Sequence, residues 1–334
     1  MKAVIAGCGA IAEVHAQCLS KLDGVELTAF ADIRPDRAES FAKRYGGTSY
    51  CSISEMLAFE KPDVLHICLP HDLHVPVAIQ AMNAGVHVFL EKPPVMNREQ
   101  LKQLQTAQQC ASVQLGLCFQ NRYNPCTQAV KQLLLSGKAG SVLGVRGFVT
   151  WSRGKDYYRN SGWRGSLARE GGGVLINQSV HTLDLMTFFA GKPEEVEASM
   201  QNHHLKGVIE VEDTMEAYIR YENGVPGCFY ATTAYSADPK PIIELHCEKM
   251  TIRMEDPDVW LYDLDGKKEA LPLARPDSYG KTYWGGGHAA CIADFYHCLK
   301  QGERFLLNLE TLNDTIRLML ACYESARLGK VFAV

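Results

Sequence analysis

The stretch Lys2-Ala3-Val4-Ile5-Ala6-Gly7-Cys8-Gly9-Ala10-Ile11-Ala12 is a short apolar strand that runs directly into the spacing Gly-x-Gly-x-x-Ala. An amphipathic helical pattern follows, and then a second strand, residues 25–31. Strand, glycine turn and helix in this order are typical of a dinucleotide-binding unit. We therefore predict that the turn, with Gly7, Gly9, Ala10 and Ile11, binds a dinucleotide cofactor.

The second strand ends in Asp32, at the distance from the glycines where a carboxylate accepts hydrogen bonds from both ribose hydroxyls of an adenosine. A carboxylate repels a 2′-phosphate, so Asp32 favours NAD. Arg34 and Arg37 lie just beyond it and leave NADP as the alternative. A turn residue or helix cap before Pro35 is the structural alternative for Asp32.

Further strand and helix patterns alternate as far as residue 120, including the unbroken apolar strands 62–70 and 86–90. Short connections between them predict a doubly wound parallel sheet, a Rossmann domain of residues 1–120. The carboxyl ends of its strands must then share one edge, where ligands bind. Besides the turn and Asp32, this edge receives the strand-end residues Leu69, Pro70, His74, Glu91 and Lys92, all predicted to contact the cofactor.

Lys92 is the candidate for chemistry at this edge. It follows Val86-His87-Val88-Phe89-Leu90-Glu91 and precedes Pro93-Pro94, which stop the strand and restrict the backbone. A lysine that is partly desolvated beside a cationic nicotinamide can act as a base near neutral pH. The alternative is a surface lysine at a turn.

Beyond residue 120 the alternation stops, and seven β-like runs follow with few helices between them. They are Val142–Trp151, Glu194–Met200, Thr214–Tyr221, Gly227–Ala234, Ile242–His246, Met250–Glu255 and Val259–Tyr262. Such a series needs hairpins. We therefore predict a second domain, residues 121–334, of α+β class with a large, open, mostly antiparallel sheet.

The sequence resembles the oxidoreductase family named after glucose-fructose oxidoreductase, inositol dehydrogenase and the rhizopine catabolism protein (Gfo/Idh/MocA). The resemblance rests on the glycine turn, Asp32, the step Leu69-Pro70-x-x-x-His74 and Gly85 to Pro93. It implies that Lys92 handles the proton of a substrate hydroxyl, and that the open sheet face forms a homo-dimer or homo-tetramer. Where the family has Pro-Asn this chain has Pro70-His71, so only a backbone contact to the cofactor is expected there.

A second candidate segment begins at Gly171-Gly172-Gly173 and continues as a helix that carries Asn177, His181 and Asp184 on one face. It resembles the family's second signature, a glycine triplet followed by an acidic residue and, four residues on, a histidine. We predict His181 as a second catalytic residue, and Asn177 and Asp184 as substrate ligands. The alternative for His181 is a structural histidine whose hydrogen bonds are satisfied within the fold. Asn177 stands in the acidic position and cannot take a proton. Asp184 either orients His181 or faces solvent.

Four further residues are predicted at the site. Arg164, predicted to bind the cofactor, resembles an arginine that reaches the cofactor or substrate, and Arg122, Trp163 and Tyr283 are predicted to contact substrate. An aromatic turn over the core with an exposed arginine is the alternative for Trp163 and Arg164.

The composition and net charge restrict the kinds of molecule that the protein can bind. The chain has 334 residues and a net charge of -4, without a basic run for nucleic acid. We expect no metal site, no membrane span, no secretion signal, reduced cysteines and a cytoplasmic location. The predicted function is NAD(P)-dependent hydride transfer between nicotinamide and a secondary alcohol of a sugar, inositol or related polyol. The alternatives are a dihydrodiol dehydrogenase or other redox enzyme, and a non-catalytic protein that senses the dinucleotide.

Overall fold

The computed structural model describes residues 1–273 and 286–334. Two compact units divide the described residues, one formed by residues 1–120 and 286–312 and the other by residues 121–273 and 313–334. The second unit therefore lacks the segment 286–312 of the predicted 121–334 domain. None of the helices in the described ranges is long and apolar enough to cross a bilayer.

The first unit contains a six-stranded parallel sheet. Its strands are β1 (Lys2–Ala6), β2 (Glu26–Ala31), β3 (Thr48–Tyr50), β4 (Val64–Ile67), β5 (His87–Leu90) and β6 (Leu115–Leu117). Their spatial order is β3-β2-β1-β4-β5-β6, the order of a dinucleotide-binding sheet. The first, second, fourth and fifth strands are thus neighbours, so their carboxyl ends form one continuous edge.

Helices connect and cover this sheet. They are α1 (Ala10–Leu19), α2 (Pro35–Tyr45), α3 (Ile53–Glu60), α4 (His74–Asn83) and α5 (Arg98–Cys110), with a 3₁₀ turn at His71–Leu73. A later helix, residues 287–301, packs against α1. Its Phe295 ring lies 5.1 Å from that of Phe89 on β5. This apolar contact explains why the segment belongs to the first unit.

The second unit contains a nine-stranded sheet. Its strands are β7 (Val142–Thr150), β8 (Pro193–Gln201), β9 (Thr214–Tyr221), β10 (Pro226–Thr232), β11 (Ile242–Cys247), β12 (Thr251–Glu255), β13 (Asp258–Tyr262), β14 (Lys268–Ala270) and β15 (Phe332–Ala333). The order is β14-β13-β12-β11-β7-β10-β9-β8-β15, and among these described strands only β7 and β10 pair in parallel. The predicted fold class is confirmed.

One face of this second sheet is buried and the other is exposed. Along β9 the residues alternate between exposed and buried. The remaining helices within the described residues are α6 (Pro125–Leu135), α7 (Lys155–Arg159), α8 (Leu167–Glu170), α9 (Val180–Ala190), α10 (Gly287–Gln301) and α11 (Asn313–Leu328), with a 3₁₀ turn at Gln120–Tyr123. Of these, α9 and α11 pack on the second sheet, which leaves the other face uncovered within the described unit.

Candidate active site

The loop after β1 lets a ligand approach its backbone closely. Gly7 has a φ of +87°, and a Cβ there would lie 2.4 Å from the carbonyl oxygen of Cys68. Gly9 precedes α1, and a Cβ at Gly9 would meet no described heavy atom within 4 Å. Because N–H groups at a helix N-terminus bind phosphates, Gly7, Gly9, Ala10 and Ile11 fit the pyrophosphate of a dinucleotide.

Asp32 is held beside this loop. One of its carboxylate oxygens accepts a hydrogen bond from the backbone N–H of Cys8 at 2.8 Å. The other accepts from the backbone N–H of Arg34 at 2.9 Å, while the Arg34 guanidinium pairs with Asp36 at 3.1 Å. A carboxylate has about four acceptor positions, so Asp32 keeps capacity for ribose hydroxyls.

Lys92 lies at the end of β5, half-buried between two buried residues, Glu91 and Pro93. Its backbone N–H donates to the Glu91 carboxylate at 3.2 Å. On its other side, the Lys92–Pro93 peptide bond is cis, and the Pro93 carbonyl contacts His74 Nδ1 at 2.7 Å. The backbone of Lys92 is therefore held from both directions.

The ring of His74 connects the segments that follow β4 and β5. Its Nε2 contacts the carbonyl oxygen of Leu69 at 2.9 Å, so both ring nitrogens are engaged by backbone carbonyls. The side chain is buried, and burial lowers the pKa of His74. The contact of His74 with the cofactor stays a prediction, and its ring nitrogens are occupied by the Pro93 and Leu69 carbonyls. The residue ties Leu69 and Pro70 to the segment that carries Lys92.

A chain of buried polar side chains lies behind Lys92. His15 Nε2 contacts Glu91 Oε1 at 3.0 Å, and His15 Nδ1 contacts His66 Nδ1 at 2.9 Å. His66 Nε2 then contacts the hydroxyl of Tyr296 at 2.9 Å. Glu91 is therefore the first member of a hydrogen-bonded chain that runs through the core of the first unit.

The pKa shifts of Glu91, His15 and His66 indicate which of these side chains are charged at neutral pH. Burial opposes ionisation of Glu91, but the hydrogen bond and positive charge of His15 outweigh it and hold the pKa of Glu91 far below its usual range. Burial likewise opposes charge on His15, yet hydrogen bonds with Cys118 and Glu91 raise the pKa of His15 to about 9. Burial lowers the pKa of His66 well below its ordinary value. At neutral pH, Glu91 is thus an anion, His15 an imidazolium and His66 a neutral acceptor.

Two of these hydrogen-bonded side chains, His15 and Glu91, form a group of potential metal ligands together with Cys118. The donor atoms of His15, Glu91 and Cys118 all lie within 4.8 Å of one another. Burial raises the pKa of the Cys118 thiol well above its ordinary value, so the thiol is neutral. Since a metal needs a thiolate and a free imidazole nitrogen, and both nitrogens of His15 are hydrogen-bonded, the group is better explained as an ion pair.

In the second unit, the glycine triplet leads into one π-helical turn, Val174–Ser179, and then α9. A Cβ at Gly173 would lie 1.9 Å from the Glu212 carbonyl oxygen, so only glycine fits there. Between Gly172 and Thr187 every residue is buried except Asn177 and His181. Asn177 and His181 are thus the two half-buried residues of an otherwise buried segment, and π-helical turns are frequent at functional sites.

Glu170, the last residue of α8, contacts Asn177. Its Oε1 accepts a short hydrogen bond from Asn177 Nδ2, and its Oε2 accepts one from the backbone N–H of Gly165. Glu170 is completely buried. Burial raises the pKa of Glu170 to about 7, although the Gly165 and Asn177 hydrogen bonds and the charge of Arg164 act to lower it.

Comparison with known proteins identifies the family. The oxidoreductase family with an NAD-binding Rossmann fold matches residues 1–119, and the GFO/IDH/MocA C-terminal domain matches residues 127–253. The chain belongs to the Gfo/Idh/MocA family. The predictions of an oxidoreductase and of NAD as its cofactor are confirmed.

Several members of the Gfo/Idh/MocA family are similar along most of the chain. D-glucoside 3-dehydrogenase of Escherichia coli (strain K12) is 29% identical over 255 residues, which are 71% of this chain and 70% of that protein. D-apiose dehydrogenase of Paraburkholderia graminis is 24% identical over 98% of this chain and 88% of that protein. The WlbA dehydrogenase structure from Bordetella pertussis, in complex with NADH and UDP-GlcNAcA, has a TM-score of 0.87 and 28% identity, covering 100% of this chain and 98% of that chain.

Two residues predicted to bind substrate form an ion pair with each other. Arg122 Nε and Nη2 donate to the two carboxylate oxygens of Asp184 at 2.9 and 2.6 Å. Thr315 adds a third hydrogen bond to Asp184 at 2.7 Å, and Asp184 is completely buried. The carboxylate of Asp184 anchors α9 to Arg122 and α11, and its contact with substrate stays a prediction. The guanidinium of Arg122 is committed to the same pair.

Trp163 and Arg164 lie together in the second unit, both half-buried. The guanidinium of Arg164 lies 4.8 Å from the Trp163 ring centroid and 4.7 Å from that of Tyr157. Such stacking fixes the arginine in one orientation. Tyr283, the remaining predicted substrate ligand, lies outside the described residues.

The sequence patterns did not predict several polar residues that lie at these sites. His15, His66 and Tyr296 complete the Glu91 chain, and Glu170 contacts Asn177. A histidine in the middle of the apolar strand β4 was a usable signal for His66, since an imidazole buried there needs a partner. Ile33 is a further omission: it is 85% exposed directly after Asp32, an unusual position for a large apolar side chain.

Proposed function

We propose that this Gfo/Idh/MocA protein is an NAD-dependent dehydrogenase that oxidises a secondary alcohol of a sugar or related polyol to a ketone. Two relatives are named D-glucoside 3-dehydrogenase and D-apiose dehydrogenase, and the WlbA structure holds a sugar nucleotide. The observation that carries the proposal is the fixed lysine at a strand end of the NAD-binding sheet, with its backbone held by Glu91 and, through Pro93, by His74.

Lys92 acts as the acid/base in this proposal. When bound, NAD accepts the hydride from the carbinol carbon. The neutral amine of Lys92 accepts the hydroxyl proton and becomes an ammonium, so a carbonyl is left on the substrate. In the reverse direction the ammonium returns the proton. A rigid backbone at Lys92 serves this step, since proton transfer requires the amine within hydrogen-bond distance of the hydroxyl.

Asn177 and His181 form the substrate-binding part of the proposal. They are the two side chains of the segment Gly172–Thr187 that are not buried. We assign Asn177 to a substrate hydroxyl, and His181 to orienting a substrate hydroxyl or relaying its proton. We also assign Trp163 to a contact with the substrate and Arg164 to a contact with the cofactor.

The residues at the end of β2 support NAD rather than NADP. Asp32 presents a carboxylate where the 2′-phosphate of NADP would lie, and the guanidinium of Arg34 is paired with Asp36. The exposed side chain of Ile33 offers an apolar surface for the adenine ring. We expect a preference for NAD of at least about tenfold in kcat/KM, since a repelled phosphate costs more than one hydrogen bond.

A substrate screen tests the function. Purified protein is incubated with sugars, glycosides, inositols and sugar acids, with NAD or NADP, and reduced nicotinamide is followed by absorbance. We expect turnover with at least one polyol and NAD. Binding of NADH without turnover on any polyol would favour the non-catalytic dinucleotide sensor, and turnover confined to non-polyol substrates would favour the alternative redox enzymes.

The exposed face of the second sheet supports a homo-oligomer. Tyr218 on β9 is 52% exposed and lies opposite the exposed Cys228 of the neighbouring strand β10. Exposed aromatic residues of this kind are enriched at protein interfaces. We propose that a second copy of the chain covers this face in a dimer or tetramer. Light scattering would show a monomer for Tyr218→Glu if the proposal holds, and an unchanged assembly if it does not.

A further inference from the structure

Asn177 occupies the position at which the family signature has an acidic residue, and an amide cannot take up or release a proton. A carboxylate nevertheless contacts this amide, from a different element. Glu170 lies seven residues earlier in the chain, at the end of α8, and accepts the hydrogen bond of Asn177 Nδ2. The pair therefore combines a titratable group that is completely buried with an amide that is only half-buried.

We propose that Glu170 is a positioning residue of the substrate site, whose ionisation decides whether Asn177 presents its carbonyl oxygen or its N–H₂ group to the substrate. This inference rests on the proposed function, because it assigns Asn177 to a substrate hydroxyl. It deepens that function by adding a control of hydrogen-bond polarity at the same site.

The hydrogen bonds of Glu170 determine where its proton can go. Oε2 accepts from the backbone N–H of Gly165, which cannot accept in return, so a proton on Oε2 would displace that bond. The proton therefore belongs on Oε1, the oxygen that contacts Asn177. An ionised Glu170 holds the N–H₂ group of Asn177, and a protonated Glu170 donates to the Asn177 carbonyl oxygen instead.

The two states of Glu170 thus select opposite ligands. With Glu170 ionised, Asn177 turns its carbonyl oxygen away from Glu170, where it can accept from an alcohol hydroxyl. With Glu170 protonated, the amide is reversed, and its N–H groups suit a carbonyl oxygen such as that of a ketone product. A reversed amide that faces a hydroxyl donor loses a hydrogen bond.

The groups around Glu170 make both states accessible. Two charged neighbours act on Glu170: Arg164 favours the anion, and Glu212 disfavours it. Tyr158 and Tyr323 also face Glu170, but burial raises the pKa of both phenols, so they stay neutral. With burial as the largest effect, the pKa of Glu170 is about 7, so neutral solutions contain both forms.

Glu170→Gln is a direct probe, because glutamine mimics the protonated carboxyl. Its carbonyl oxygen accepts from Gly165, and its N–H₂ group must then face Asn177 and hold the amide reversed at every pH. In the wild type, we expect KM for the alcohol to fall about tenfold as pH rises through 7, the value of one hydrogen bond. In Glu170→Gln, KM should stay at the high value, while kcat at saturation changes little because Lys92 still takes the proton.

Glu210→Gln is the matched control. Glu210 is exposed in the same unit, and its carboxylate accepts from the backbone N–H of Leu167 at 2.8 Å, at the start of the same helix α8 that ends in Glu170. It should keep the wild-type KM profile. A Glu170→Gln variant that retains the wild-type dependence of KM on pH would overturn the inference.

A readout without turnover separates this inference from the proposed function. The side-chain ¹⁵N amide signal of Asn177, assigned by its loss in Asn177→Asp, is followed in the wild type over about pH 5–9. We expect one transition near pH 7, and none in Glu170→Gln. A wild-type signal that does not titrate refutes the role of Glu170, even if the variant fails to fold. A titrating signal without turnover on any polyol supports the role of Glu170 and counts against the proposed function alone.

Discussion

Glu91 in the first unit and Glu170 in the second are both buried carboxylates, but their surroundings give them opposite behaviour. Glu91 pairs with the imidazolium of His15 and stays ionised at neutral pH. Glu170 is held by a backbone N–H and an amide, with opposing charges near it, and its pKa lies at about 7. A direct ion pair thus fixes a charge behind Lys92, whereas neutral donors leave Glu170 able to titrate.

Breaking the His15–Glu91 pair should have the largest effect on stability. His15→Ala leaves the Glu91 carboxylate buried without its counter-charge, which we expect to lower the free energy of unfolding at pH 7 by about 3–5 kcal/mol. Adding Glu91→Gln to this variant removes the unpaired charge and should recover part of the loss. Urea denaturation measures all four members of this cycle, and simple addition of the two single effects would contradict the ion pair.

The dependence of this effect on pH follows from the pKa shifts of the two partners. The raised pKa of His15 gives stability that is complete below its ordinary value of 6.5 and is lost as pH rises through about 9. The lowered pKa of Glu91 gives stability above its ordinary value of 4.5 that is lost on acidification. The difference between wild type and His15→Ala should therefore be largest at about pH 5–6.5.

Glu170→Gln should have a smaller effect of the opposite sign. The pKa of Glu170 rises from 4.5 to about 7 on folding, so its ionisation destabilises the protein as pH rises through this window. Such a shift corresponds to about 3 kcal/mol. We expect Glu170→Gln to be more stable than the wild type at pH 8 by up to this amount, with little gain at pH 4.5, as measured by urea denaturation. If the free energy of unfolding depended on pH in the same way in the wild type and in Glu170→Gln, Glu170 would not titrate in this range. Glu210→Gln serves as the control.

We expect the smallest loss of stability from a change at Tyr296, the residue of the hydrogen-bonded series that lies farthest from Glu91. Tyr296→Phe removes the hydroxyl at 2.9 Å from His66 and leaves one buried nitrogen without its partner, which costs about 1–2 kcal/mol. The pH window of the His15–Glu91 pair should be unchanged in Tyr296→Phe. A shift of that window would mean that the charge is shared along the chain rather than localised on His15.

The residues at the edge of the parallel sheet could be predicted from sequence because local patterns determine them. An apolar run ending in Asp32, or in Glu91 and Lys92, locates a strand end, and parallel strands bring their carboxyl ends to one edge. The bounds of β9 were predicted to the residue for the same reason, since alternation reports one buried face. Such inferences need only the geometry of the strand and the order of the elements.

The partners of buried polar groups could not be predicted in this way. His15 and Glu91 are 76 residues apart, and no local pattern joins them. Asp184 seemed to share a face with Asn177 under α-helical spacing, but the π-helical turn Val174–Ser179 breaks that spacing and Asp184 is directed to Arg122. The contacts of the His74 ring with the Pro93 and Leu69 carbonyls likewise follow from the folded chain and not from a local sequence pattern.

Replacement of Lys92 tests the central claim most directly. Lys92→Met and the control Lys102→Met, which changes an exposed lysine on α5, are assayed with the best polyol from the screen, and NADH binding is measured by fluorescence. We predict that Lys92→Met binds NADH like the wild type while its kcat falls by about 10²–10⁴, the contribution of a positioned acid/base, and that Lys102→Met is unchanged. Wild-type turnover in Lys92→Met would contradict the account.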